Sequence, residues 1–247
     1  MDDLQTARLI EITCSRILPL SITARESALT RQADLTKPPG SLGRLEALSV
    51  AIAAMTDTER PRLAERLVVV AAGDHGVTKQ GVSAYPAEVT GQMVANFLSG
   101  GAAINVLARH ADARVRVVDA GVASPTADVP ELLKLHLGPG TADITEGPAM
   151  SRETAEGAVA AGIRLFEDEL TSPGVDIVAC GEMGIGNTTS AAAIVATVTG
   201  RPPASVTGRG TGVDDEAHAT KVRAIETALS VNQPDPQDGI GLLAAIG

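Results

Sequence analysis

Short, continuously apolar runs alternate along this chain with longer stretches in which apolar residues return every three or four positions. Leu67–Ala72 is of the first kind, and its β-branched content predicts a strand covered on both faces; Arg114–Asp119 and Val175–Ala179, interrupted by charged residues, also read as strands, the latter buried. Residues 4–34 carry helical spacing, with Pro19 ending or kinking a first helix near Ile17. In the second segment Ile22, Ala28, Leu29 and Ala33 form a modest apolar face. The rigid turn Lys37–Glu46 leads into a helix through Met55, with Ser41 as its expected cap. After Pro86 a long helix turns Val89, Met93, Val94, Phe97, Leu98, Ile104, Leu107 and Ala108 inward, and Gly100-Gly101 divides it. Residues 122–150 read as loop with a short strand at Leu133–Leu137. Ser151 caps a helix that spaces Ala155, Ala158, Val159, Gly162, Ile163 and Phe166 along one side. Further helices open at Asn187 and at Asp214-Asp215, the latter running to about Ser230.

Strand, loop and helix repeated in this order predict an α/β fold: a parallel β-sheet flanked by helices, Rossmann-like and three-layered, with additional N-terminal helices. Residues 1–60 form the expected helical segment and 61–247 the expected nucleotide-binding core. Ligands of such sheets gather outside the carboxyl ends of the strands. Asp74, His75, Asp119 and Glu182 all fall just beyond a predicted strand and can face one crevice. The last segment, Asp238–Gly247, has the look of an apolar helix just starting, so the core is expected to be truncated at its C-terminus.

Composition narrows the function. The chain has no Trp, one Tyr and two Phe, leaving little for stacking bases, and its net charge of −10 disfavours a nucleic-acid backbone as partner. No apolar run has the length of a membrane span, and the N-terminus is polar and mixed in sign, unlike a signal peptide. Two cysteines, Cys14 and Cys180, make neither a disulfide framework nor a zinc cluster, which predicts a reduced cytoplasmic setting with Cys180 packed inertly. Asp74 and His75 have no further His or Cys at ligand spacing, so no metal is expected, and His75 reads as a loop-organising residue.

The chemistry concentrates in two glycine-rich turns. Gly181-Glu-Met-Gly-Ile-Gly-Asn-Thr-Thr189 joins a strand to a helix and carries one carboxylate, and Gly208-Arg-Gly-Thr-Gly212 also runs into a helix. Glycine lets backbone approach a ligand closely, and N–H groups at a helix start favour an anion. The first turn lacks the lysine of a P-loop and the third glycine of a dinucleotide fingerprint, and such turns also serve plain packing. Two of them flanking Glu182 point to an enzyme acting on a phosphorylated small molecule. Lys221 lies two turns into its helix, either as a solvated lysine or as a counter-charge for a ligand anion.

Lys37-Pro-Pro-Gly-Ser-Leu-Gly-Arg-Leu-Glu46, Ala71-Ala-Gly-Asp-His-Gly-Val77, Gly81-Val-Ser-Ala-Tyr-Pro86 with Gln92-Met93, Val118-Asp-Ala-Gly121 and the two glycine turns stand in one fixed order. Together they resemble the nicotinate-nucleotide–dimethylbenzimidazole phosphoribosyltransferase family of cobalamin biosynthesis. The resemblance implies transfer of the phosphoribosyl group of nicotinate mononucleotide to 5,6-dimethylbenzimidazole with inversion, without cofactor or metal. It implies that Gly184, Gly186, Asn187, Thr188, Gly208 and Gly210 hold the phosphate, with Lys221 near the active site and Asp74 among the substrate-binding residues. Glu182 would stabilise the ribosyl cation or assist proton removal, and Ser83, Tyr85, Gln92 and Met93 would border the benzimidazole. It places the principal general base, a glutamate, in a C-terminal segment beyond these residues, so this polypeptide is expected to bind nucleotide better than it turns over. A homodimer is implied. The rival readings are an inactive or partner-dependent nucleotide-binding subunit and a transferase for another azole or a phenolic acceptor.

Overall fold

A computed structural model describes residues 3–247. Two compact units emerge: Glu11–Ala64, and a larger one that takes in the residues up to Ile10 together with Glu65–Gly247.

Helices α1 (Asp3–Ser15), α2 (Ile22–Asp34) and α3 (Arg44–Thr56) occupy the N-terminal part, and α1 stops before Pro19 as its missing N–H requires. Ser21 caps α2 by accepting the Ala24 N–H at 3.2 Å. In the smaller unit Ala28, Val50 and Ala53 form a core of small side chains. The face of α2 differs from expectation. Ala24 and Ala28 are buried, whereas Ile22 and Leu29 are 72% and 46% exposed. Small residues let α2 and α3 approach closely, leaving the larger side chains at the margin. The cap of α3 is likewise Gly43 rather than Ser41.

The larger unit continues with β1 (Arg66–Gly73), α4 (Val89–Leu98), α5 (Ala103–His110), β2 (Ala113–Gly121), β3 (Leu132–Lys134), α6 (Arg152–Thr171), β4 (Ile177–Met183), α7 (Asn187–Thr199), α8 (Pro203–Val206), α9 (Asp215–Asn232) and α10 (Gly239–Ile246). Among the described residues the sheet has four parallel strands in the order β3-β2-β1-β4. Alternate residues of a strand face opposite ways. Val68, Val70, Ala72, Val115, Val117 and Met183 therefore pack with Val94, Phe97 and Ala102 on the α4–α5 side. Leu67, Val69, Ala71, Val118 and Val178 look the other way, toward Ala158, Gly162 and Phe166 of α6 across a groove of about 480 Å³. Helices lie on both faces of the sheet, so the expected parallel α/β arrangement is the observed one. Gly100 and Gly101 do separate α4 from α5.

Two readings of burial and one of strand ends are corrected. Leu107, expected inward, is 63% exposed on α5. The strand carrying Val178 is the sheet's edge and is largely exposed, and Cys180 on it is exposed rather than packed. Finally, β4 extends to Met183 and β2 to Gly121, so Glu182 and Asp119 stand within the last residues of their strands instead of beyond them. A continuous apolar run records that a strand is expected to be covered; it does not record which neighbours cover it.

Strand order reverses at β1. The chain lays β2 and β3 to one side and then returns to place β4 on the other. The carboxyl ends of β1 and β4 consequently flank a switch point, the position at which open α/β sheets leave a crevice.

Candidate active site

Ala71 of β1 is in register with Glu182 of β4, and the chain leaves β1 through Gly73, Asp74 and His75. That register brings His75 Nε2 to 3.4 Å from Glu182 Oε1. The other carboxylate oxygen accepts from Asn187 Nδ2, the first residue of α7. With both oxygens engaged, the Glu182 side chain is still 45% exposed. It lines a cavity of about 230 Å³ with Gly73, Asp74, His75, Gly121, Gly140 and Thr141.

Glycine at 184 is a steric requirement. A Cβ there would collide with the Gly73 carbonyl and lie 2.7 Å from Glu182 Oε1 and 2.9 Å from His75 Cδ2. Gly186 has φ +95°, a left-handed backbone that a side chain disfavours, and starts α7. Behind them Thr90, fully buried on α4, accepts the Ile185 N–H at 3.1 Å and fixes the turn to the core.

The amides at this helix start are not free, contrary to expectation. Asn187 N–H donates to the Gly184 carbonyl at 3.0 Å, Thr189 N–H to Gly186 at 2.9 Å, and Thr188 N–H to the Asn187 side-chain oxygen at 2.7 Å. A tight first turn and a short amide side chain satisfy those donors locally. The unspent charge is supplied from elsewhere. Lys221 of α9 is 1% exposed, and its ammonium donates to Thr188 Oγ1. Burial holds its pKa below the ordinary lysine value.

The second glycine turn closes on the same spot. A Cβ on Gly210, whose φ is +51°, would lie 2.7 Å from Thr188 Oγ1 and 2.9 Å from Lys221 Nζ. Arg209 clamps that turn to the start of α9, donating to the Val213 carbonyl at 2.9 Å and to Asp215 at 2.5 Å. Thr211, one residue on, meets Ser83 Oγ at 3.2 Å and accepts the Ala84 N–H at 3.1 Å. Ser83 in turn accepts the Tyr85 N–H at 3.2 Å.

The tertiary structure thus assembles His75, Glu182, Asn187, Thr188, Lys221, Gly210, Thr211, Ser83 and Tyr85 into one continuous polar chain. Gly184 and Gly186 are part of it, and Gly208 opens the second turn, exposed to solvent. Gln92 is exposed on α4, while Met93 packs against the sheet core. Asp74 is buried. Its Oδ2 accepts the Ala123 N–H at 2.8 Å, tying the turn after β1 to the turn after β2. Asp119 caps its own turn, accepting from Gly121 N–H, Val122 N–H and the Thr126 hydroxyl. Two participants were missed in the sequence: His75 as a partner of Glu182, and Thr211 as the link to Ser83. Parallel register is what could have disclosed the first, because it sets the end of β1 beside Glu182.

An open parallel sheet with its polar site at the strand-order reversal defines the class, an α/β protein of Rossmann-like architecture. The sequence matches the family described as Phosphoribosyltransferase over residues 17–247. It is 57% identical over 239 residues to the nicotinate-nucleotide–dimethylbenzimidazole phosphoribosyltransferase of Roseiflexus sp. (strain RS-1), covering 97% of this chain and 67% of that one. Identity to the protein of the same name from Geobacter sulfurreducens is 51% over 233 residues, covering 94% of this chain and 66% of that one. The crystal structure of CobT from Thermus thermophilus aligns with a TM-score of 0.86 at 46% identity, over 91% of this chain and 67% of that chain. The chain belongs to the nicotinate-nucleotide–dimethylbenzimidazole phosphoribosyltransferase family, and it spans 67% of the length of the first of these relatives.

Proposed function

We propose that this chain transfers the phosphoribosyl group of nicotinate mononucleotide to 5,6-dimethylbenzimidazole, giving α-ribazole 5′-phosphate and nicotinate in cobalamin lower-ligand synthesis. The observation that carries the reading is the run of contacts from Glu182 through Asn187 and Thr188 to buried Lys221, in a chain of this family. It supports a phosphate held by Lys221, Thr188 and the turns at Gly184, Gly186, Gly208 and Gly210, with the sugar's anomeric carbon near Glu182. Nicotinate bonded through its ring nitrogen is cationic. When the C1′–N bond breaks, the electron pair stays on nitrogen and the leaving group needs no proton. The sugar develops positive charge, which the Glu182 carboxylate stabilises. One benzimidazole nitrogen attacks C1′ from the opposite face, and its other nitrogen loses a proton to a base.

The contact between Thr211 and Ser83 supports an acceptor wall of Ser83 and Tyr85 next to the phosphate turn, with Gln92 and Met93 on the following helix. Asp74 acts there by holding the cavity's rim. No metal or cofactor enters this chemistry. Self-association is part of the proposal. Ile17 and Leu18, between α1 and α2, and Leu45 and Met55, on α3, are 75%, 81%, 63% and 66% exposed, large apolar side chains that a second copy would cover. Two free cysteines are consistent with a reduced cytoplasmic setting.

The test measures binding and transfer separately: calorimetry with nicotinate mononucleotide, then chromatography of α-ribazole phosphate after both substrates are added. Glu182→Gln is expected to lower the transfer rate by about 100-fold with nucleotide affinity kept. A variant as fast as the parent would remove Glu182 from the mechanism, and a screen of azole and phenolic acceptors decides the acceptor.

A further inference from the structure

His75 meets Glu182 and lines the same cavity, yet the proposed chemistry gives it no task. Its backbone is anchored and its side chain closely packed. The His75 backbone carbonyl accepts from Thr78, both N–H at 3.1 Å and hydroxyl at 2.9 Å. Gly184 and Gly186 approach it so closely that a Cβ on either would lie 2.9 Å from His75 Cδ2 or 3.4 Å from His75 Cβ. The side chain is 13% exposed. Packing of this kind fixes the ring plane and delivers Nε2 to one carboxylate oxygen of Glu182, while Asn187 takes the other.

The tautomer follows from the partners. A carboxylate oxygen that accepts from the ring requires Nε2 to be the donor. Nδ1, by contrast, is shut away from solvent with no hydrogen-bonding partner. Protonating Nδ1 as well would bury a cationic N–H with nothing to receive it, which costs more than leaving a neutral lone pair there. We propose that His75 is a positioning residue that orients the Glu182 carboxylate as a neutral Nε2–H imidazole, fixing the anion's direction without cancelling its charge. The proposal rests on the reading of Glu182 as the group that faces the developing ribosyl cation. An imidazolium in the same place would offset the negative charge that the sugar needs, whereas a neutral donor leaves it available. The 3.4 Å separation belongs to the range in which catalytic hydrogen bonds tighten once substrate is bound. Glycine at 184 and 186 thereby has a second use: it makes room for the imidazole beside the carboxylate.

Two measurements on the 247-residue protein test this. Nitrogen-15 NMR of the histidine rings, with the His75 signals assigned by their loss in His75→Gln, is expected to show a protonated Nε2 and a bare Nδ1 at neutral pH. An imidazolium or an Nδ1–H pattern would overturn the proposal whether or not the protein turns over. In the transfer assay His75→Ala is expected to lower kcat by roughly tenfold or more with nicotinate mononucleotide affinity nearly unchanged. His75→Gln, whose amide N–H can reach the position of Nε2, is expected to recover most of that loss. A folded Gln variant no better than Ala, or an Ala variant with unchanged kcat, refutes the positioning role. Absence of nucleotide binding or of transfer by the parent protein would instead count against the proposed function, and the ring signals would still decide the tautomer.

Discussion

Lys221 shows at the scale of one residue how function and stability pull apart. A lysine that is 1% exposed with one hydroxyl partner lowers the stability of the folded chain as long as it carries charge, because burial disfavours the ammonium. Its folded pKa lies below the unfolded value, so the unfolded chain binds more protons and this residue's destabilisation fades as pH rises toward the ordinary lysine value of 10.5. The phosphate of the proposed substrate would reverse the balance by supplying the missing counter-charge. Lys221→Met, close in volume, is therefore expected to leave the melting temperature unchanged or raise it, while weakening nicotinate mononucleotide binding at least about tenfold. Scanning fluorimetry and calorimetry on the same samples check both halves, and a variant that melts lower yet binds as before contradicts the account. In the sequence Lys221 is balanced between a solvated residue and a counter-ion. Helical spacing records its position on α9, but its burial under the Gly208–Gly212 turn depends on how α7 and α9 meet.

At the scale of elements, the site is a junction of turns, and glycine's place in it is decided by neighbours as much as by backbone. Gly210→Ala puts a methyl group against Thr188 and Lys221 at a left-handed φ, and should cost about 1–2 kcal/mol along with most of the phosphate affinity. At Gly208 a Cβ would meet no protein atom within 4 Å, so alanine there should leave the melting temperature nearly unchanged. Away from the site, β2 is fastened to α6 by Glu169, which is 4% exposed and accepts from Arg114 and Arg116 at 2.8 Å each. Burial raises its pKa, but the two guanidinium donors outweigh it and hold the value below 4.5. The resulting stabilisation is complete above that ordinary value and is lost as pH falls through the lowered one. Because both arginines are about a third exposed, Glu169→Ala is expected to cost about 2 kcal/mol at neutral pH, between an exposed and a fully buried pair. Denaturant melts at neutral and acid pH should show that gap shrinking in acid. Composition offers no sign of this clamp, since its partners are 53 and 55 positions apart.

For the whole molecule, the outstanding prediction concerns association. If the exposed apolar side chains of the N-terminal segment meet a second copy, light scattering will report twice the 25.1 kDa chain mass, and Leu18→Glu with Leu45→Glu will halve it. A parent protein that scatters as a monomer at micromolar concentration rules that interface out. The strands, most helices, the division at Gly100-Gly101 and the parallel α/β order were legible in the sequence, because each depends on periodicity, β-branching or a backbone restriction acting over a few residues. The two glycine turns and Glu182 were legible as local sequence features for the same reason, and their chemical role is the one proposed above. What the sequence could not hold was adjacency. Only the sheet order β3-β2-β1-β4 sets His75 against Glu182, leaves β4 as an exposed edge and exposes Cys180, while helix packing buries Lys221 beneath Gly210. Local patterns fix which conformation a segment adopts, whereas the partner of a side chain is chosen by packing among residues far apart along the chain, and that choice is made only when the elements come together.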